Sequence, residues 1–216
     1  MFEKILSLIF PNVCGFCNKI NNNNLCKRCE LNLSKYKIDC IKNCTNDRRK
    51  YFDYLFCALK YENIIREKII QYKFNENSYL YKTFVKIIIK NEKLYRFLKL
   101  YDIIIAVPMH KKKKAVRGYN QCELIANEIA KQMTLKFEKN ILIKIKDTKI
   151  QSTLTKSQRM KNVKDAFCIK DIEKIKGKKV ILIDDIYTTG STVNECSRIL
   201  KQSGAKEVCV ITIAKD

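Results

Sequence analysis

The sequence predicts an α/β protein: a parallel sheet flanked by helices, with a small N-terminal module held by four cysteines. Three observations carry that expectation. Residues 180–183 and 103–107 are continuous apolar runs too short for helices, as in strands buried on both faces of a parallel sheet. Each is followed by a polar stretch and then by apolar residues at helical spacing, the alternation that builds such a sheet. Ahead of both, Cys14-Gly15-Phe16-Cys17 and Cys26-Lys27-Arg28-Cys29 space their thiols as metal knuckles do.

At 216 residues the chain has room for one full core and a small appended module. We divide it at residue 50, with a metal-binding segment over 1–50 and an α/β domain over 51–216. The hydrophobic fraction of 46% excludes a disordered chain. A net charge of +22 supports a polyanionic partner. It does so only in part, because just eight of the 44 basic residues are arginine and the lysines are spread over every segment. Residues 3–10 are apolar but short, lack a preceding basic region and run into Pro11, so no signal peptide is read there. No run has the length of a membrane span. The expected compartment is therefore the cytoplasm, where thiols stay reduced, and the eleven cysteines point to metal before disulfides.

Taken in chain order, the two knuckles put four thiolates around one Zn²⁺, replacing the core that so short a segment cannot build. Such a site has no open coordination position and is structural. Cys40 and Cys44 follow at wider spacing; they either substitute for a knuckle, belong to a partial second site, or have no metal role. Residues 51–60 read as a strand, 62–74 as a helix, and 79–98 as a second, longer helix. Lys73, near the end of the first helix, either faces a ligand or is solvated. The strand at 101–107 ends at Pro108, and a basic loop follows with His110, Lys111, Lys112 and Arg117. At the carboxyl end of a strand such a loop can meet a pyrophosphate group, although a lysine run by itself is more often solvated. A helix then covers 122–133. Residues 141–145 and 166–169 read as strands, 155–163 as a short helix, and 206–214 as the last strand. His110 is the only histidine, which excludes a His-Glu-x-x-His zinc hydrolase; no G-x-S-x-G elbow is present either.

The richest stretch is Lys179 onward. Its apolar run ends at the carboxylates Asp184 and Asp185. Thr188, Thr189, Gly190, Ser191 and Thr192 then open a helix that continues over 193–202. A small-residue loop at a helix N-terminus turns backbone N–H groups toward an anion, so it can hold a phosphate. The acid pair accepts hydrogen bonds from sugar hydroxyls or helps to hold Mg²⁺. A phosphorylated ribose satisfies both halves. The competing account, a plain turn whose hydroxyls only cap the helix, leaves the acid pair without a role.

This stretch resembles the phosphoribosyl pyrophosphate motif of type I phosphoribosyltransferases, in which the acid pair holds the ribose hydroxyls and the loop the 5′-phosphate. The wider pattern resembles the ComF family. It comprises the four cysteines, Val107-Pro108-Met109-His110 through Arg117-Gly118-Tyr119-Asn120-Gln121, then Thr148, Gln151, Leu154, Arg159, Asn162 and Phe167, then the acid pair and its loop. The likeness implies a zinc-binding segment joined to a phosphoribosyltransferase-like domain that binds phosphoribosyl pyrophosphate with Mg²⁺. It further implies a role with single-stranded DNA and the DNA-uptake machinery of competent bacteria, and assigns the basic loop to the pyrophosphate side. Thr188 stands where 6-oxopurine salvage enzymes carry an aspartate that meets the base. The likeness thereby argues against ordinary hypoxanthine-guanine salvage and leaves the acceptor open: a nucleobase or amine if the chain is an enzyme.

Overall fold

The computed structural model describes residues 11–38, 40–74, 77–148 and 155–216, so the stretch 3–10 and the positions Gln151 and Leu154 lie outside it. Among the described residues six strands form one sheet in the order β1-β2-β8-β7-β3-β4. They are β1 (Ile41–Asn43), β2 (Tyr54–Lys60), β3 (Ile103–Ala106), β4 (Lys136–Phe137), β7 (Lys179–Tyr187) and β8 (Glu207–Lys215). Only β1 runs antiparallel. The apolar runs of β3 and β7 alternate between two cores, as expected for strands covered on both faces. Ile104, Ala106, Ile181 and Ile183 join one; Ile103, Ile105, Val180 and Leu182 join the other.

On the first face lie α1 (Lys27–Leu33), α2 (Asn63–Phe74), α3 (Leu80–Ile89), α4 (Glu92–Leu98) and α6 (Gln121–Met133), each sending side chains into that core. The second face is covered by α8 (Ser191–Gln202) and by an antiparallel ribbon of β5 (Leu142–Lys144) and β6 (Phe167–Ile169). Helix α5 (Lys111–Arg117) follows β3, and α7 (Lys156–Val163) joins the strands of the ribbon.

Four expectations are corrected. Residues 79–98 form two helices because Asn91 takes an extended conformation and its side chain accepts from Leu94 N at 2.8 Å, starting α4 anew. The stretches 141–145 and 166–169 leave the parallel sheet and pair with each other as the ribbon. The basic loop is helical over Lys111–Arg117, since lysine and arginine are good helix formers and Gly118, at φ 82°, closes the turn. Finally, β7 does not end at the acid pair. It runs on to Tyr187 because β8 keeps pairing with it, Asp184 opposite Thr212 and Tyr187 opposite Lys215.

The cysteine segment is fastened to α3. Cys14, Leu25 and Leu33 are buried in the first core, and Thr83 Oγ1 donates to Asn24 O at 2.8 Å. Gly15 permits this closeness: a Cβ there would stand 2.4 Å from Thr83 Oγ1.

Candidate functional site

Sheet topology sets the position of the site. β3 pairs with β7 only as far as Ala106 opposite Ile183. From there the chain leaves β3 through α5 and α6 toward β4 on one side, while β7 continues through α8 to β8 on the other. The two connections diverge, and at the carboxyl ends of β3 and β7 they open a crevice of the kind in which α/β sheets hold ligands.

Asp184 and Asp185 lie at that point. Asp185 is buried. Its Oδ2 accepts from Lys73 Nζ at 2.9 Å and from Gln121 Nε2 at 2.6 Å. Burial pushes the Asp185 carboxyl up, but the Lys73 charge and these hydrogen bonds outweigh it and hold it below the ordinary carboxylate range. Asp184 goes the other way, raised by burial and then by the charge of Asp185. Cys122 Sγ donates to Asp184 Oδ1 at 3.6 Å, and burial followed by the two carboxylate charges keeps this thiol protonated. Ligand atoms of Cys122, Asp184 and Asp185 lie within 4.8 Å of one another, a donor set that could hold a metal ion. For a hard cation the carboxylate oxygens are the fitting donors.

The loop after β7 opens α8. Gly190 sits at its N-cap with φ 74°, and a Cβ there would come 2.6 Å from Tyr187 Oη. Glycine is required by both the left-handed backbone and the close ring. Asp184, Thr188, Gly190, Ser191 and Thr192 line a small cleft at this N-terminus. Thr189 Oγ1 and Ser191 Oγ are 2.8 Å apart. Arg159 Nη1 of α7 donates to Thr188 Oγ1 at 3.0 Å, tying that helix to the loop.

The residues of the basic stretch are dispersed. His110 Nδ1 stands 3.5 Å from Asp147 Oδ1, and Lys112, 80% exposed, reaches the same carboxylate at 3.8 Å. Lys111 lines a cavity of about 270 Å³ beside β3 and β5. Arg117 Nη1 donates to Gln121 Oε1 at 2.6 Å. Two cations that the sequence did not single out lie closer in. Lys113 Nζ donates to Thr148 O at 2.9 Å and Lys144 Nζ to Thr148 Oγ1 at 2.7 Å. Burial and then the charge of Lys113 lower the Lys144 pKa. No periodicity marks Lys144, and only the ribbon brings it here. Lys73, left open by the sequence, is at the centre of the site, whereas Gln121 appeared there only as part of a motif.

In the N-terminal segment the sulfurs of Cys14, Cys17, Cys26 and Cys29 lie within 4.8 Å of one another and could hold one metal ion. Cys40 and Cys44 are not among these four; Cys44 is buried in the second core. Burial raises the Cys14 thiol, but backbone N–H groups of Cys26, Cys17 and Phe16 outweigh it and bring the pKa down to about 6, which favours the thiolate a metal needs.

Residues 120–216 match the phosphoribosyl transferase domain family. With the mostly parallel sheet and its helices, this defines the fold as that of a type I phosphoribosyltransferase. Competence protein F of Haemophilus influenzae is 28% identical over 208 residues, 94% of this chain and 90% of that protein. The DNA utilization protein YhgH of an Escherichia coli O6:H1 strain is 25% identical, with 92% and 88% covered. Competence protein ComFC of Streptococcus pneumoniae is 30% identical over 155 residues, 72% and 65%. The fold is phosphoribosyltransferase-like, and the chain is similar over most of its length to competence and DNA-utilization proteins, the likeness that its motifs imply. Among the described residues no helix is long and apolar enough to cross a membrane.

Proposed function

We propose that this chain binds phosphoribosyl pyrophosphate with Mg²⁺ in the β3–β7 crevice and serves single-stranded DNA handling during natural competence, in the cytoplasm. The observation that carries the ligand is the acid pair at the switch point with the Gly190-capped helix directly after it. In this reading Asp184 and Asp185 orient the ribose hydroxyls, and Thr188, Thr189, Gly190, Ser191 and Thr192 receive the 5′-phosphate at the positive end of α8. The residues present fit a Mg²⁺ that accompanies the pyrophosphate, since carboxylate oxygens face the crevice; its role is to neutralise the leaving group. Lys111, Lys112, His110 and Arg117 are the expected pyrophosphate side, with Lys113 and Lys144 added by their position.

Residues 1–50 are proposed as a zinc-binding segment carried on the phosphoribosyltransferase-like domain of 51–216. Cys17 and Cys26 Sγ are 3.8 Å apart. The edge of a tetrahedron with Zn–S bonds of about 2.3 Å is also ~3.8 Å. The DNA role is supported by the competence and DNA-utilization names of the relatives and by the charge of +22.

The second reading is catalysis: displacement of pyrophosphate from C1 of the ribose by a nucleobase or amine. It needs no protein nucleophile, only positioning and charge stabilisation. Thermal unfolding with phosphoribosyl pyrophosphate and Mg²⁺ tests the first reading, because a ligand of the folded state raises Tm. A shift in the wild type that Asp184→Asn abolishes is expected, and no shift in the wild type would refute it. Pyrophosphate release across a panel of bases and amines would establish the second.

A further inference from the structure

We propose that the exposed ring of Phe74, at the rim of the crevice, is a stacking platform for a base of single-stranded nucleic acid. The proposal deepens the phosphoribosyl reading and rests on it for the identity of the adjoining site. Phe74 ends α2 and is 68% exposed, although Ile69 and Tyr72 of the same helix are fully buried. A phenylalanine left in water forgoes the burial it could otherwise gain. Nor is its setting loose. The guanidinium of Arg117 lies 5.0 Å from the ring centroid, backing the ring with a cation. Arg117 is fixed by Gln121 at 2.6 Å, and Gln121 by Asp185 at 2.6 Å. Asp185 in turn holds Lys73, the neighbour of Phe74, at 2.9 Å. The ring and the acid pair thus belong to one closed network, and the platform has a defined place beside the crevice.

Openness and charge decide what the ring takes. A free base gains most from an enclosed pocket that buries most of its surface. A base on a strand needs only an open π-face, provided cations nearby meet its phosphates. Helix α5, which delivers Arg117 to the ring, buries none of its residues and carries Lys111, Lys112, Lys113 and Lys114. Val116, 92% exposed, adds apolar surface next to Arg117. This combination fits a single strand.

The test is fluorescence anisotropy with the full chain, comparing a short oligothymidylate with an abasic strand of equal length. Phe74→Ala is expected to weaken oligothymidylate binding about tenfold while leaving the abasic strand unchanged, and Phe74→Trp to restore it. Equal binding of oligothymidylate by Phe74→Ala and wild type would overturn the platform, as would an equal loss for both strands. Free thymidine displacing the strand at comparable concentration would overturn the strand in favour of a free base. The phosphoribosyl pyrophosphate shift of the wild type is measured in parallel. Its absence refutes the crevice reading, whereas the strand comparison needs no phosphoribosyl pyrophosphate and decides the platform alone.

Discussion

Replacing Lys73 by methionine keeps most of the apolar stem and removes one charge from the centre of the site. The ammonium lies 2.9 Å from Asp185, and the two side chains are 19% and 11% exposed. Removing one partner of a buried ion pair costs about 3–5 kcal/mol, because the remaining charge is left uncompensated. Residual exposure and the surviving bond from Gln121 reduce the expectation to about 2–3 kcal/mol. For a chain of this length that is a fall in Tm of about 4–12 °C. The pH dependence is diagnostic. Asp185 is held below its ordinary value, so its stabilisation is present above the unfolded carboxylate pKa and disappears as pH falls through the folded one. Without Lys73 its pKa rises, and the deficit of Lys73→Met grows from acidic to neutral pH. Mg²⁺ is expected to restore part of the loss, since a divalent cation can take the place of the ammonium. Urea unfolding of both proteins across that range measures all three effects. A variant as stable as the wild type at neutral pH, with the same profile, would refute the reasoning.

Four further outcomes are expected. Asp184→Asn leaves stability at neutral pH equal or higher, because burial already disfavours its charge, yet removes the ligand-induced Tm shift; Asp185→Asn lowers stability by orphaning Lys73. Gly190→Ala costs about 1–3 kcal/mol for a non-glycine residue held at φ 74° against Tyr187, and weakens ligand binding with it, both read by thermal unfolding. Metal analysis finds one zinc per chain, lost in Cys26→Ser, and chelation lowers Tm because Cys14 and Leu25 are part of the first core. Glu195→Gln removes a carboxylate that Arg198 and the Asp165 N–H hold below its ordinary value. It costs about 1 kcal/mol at neutral pH and nothing once pH falls below that value, as an unfolding series from neutral to acidic pH would show.

The buried strands were legible because burial on both faces leaves an unmistakable apolar run, and the cysteine knuckles because their spacing is local. The small-residue loop and the helix it opens were legible for the same reason: strand end, small residues and helix stand in a row. What sequence could not supply was long-range. Lys73 reaches Asp185 across more than a hundred positions, and Lys144 and Lys113 meet only because β5 and β6 fold into a ribbon off the sheet. The basic stretch misled in a different way. Its charge was plain, but its helical state depended on Gly118 closing the turn, and Lys112, Lys113 and Lys114 go to Asp147, Thr148 and Glu123 while Lys111 lines a cavity.

The difference between the two aspartates follows from their partners, not from the strand boundary. Pairing with β8 carries the strand to Tyr187, yet Ile183 and Ile186 both pack on the first core, so side chains do not simply alternate across the acid pair, and both carboxylates stay within reach of Cys122. Asp185 is neutralised by Lys73 of α2 and accepts a hydrogen bond from Gln121 of α6. Asp184 lines the cleft at the start of α8 together with Thr188, Gly190, Ser191 and Thr192. Only one of the two acids is therefore presented to a phosphate-bearing ligand without a cation already on it. The other anchors the helix end that carries Lys73 and Phe74.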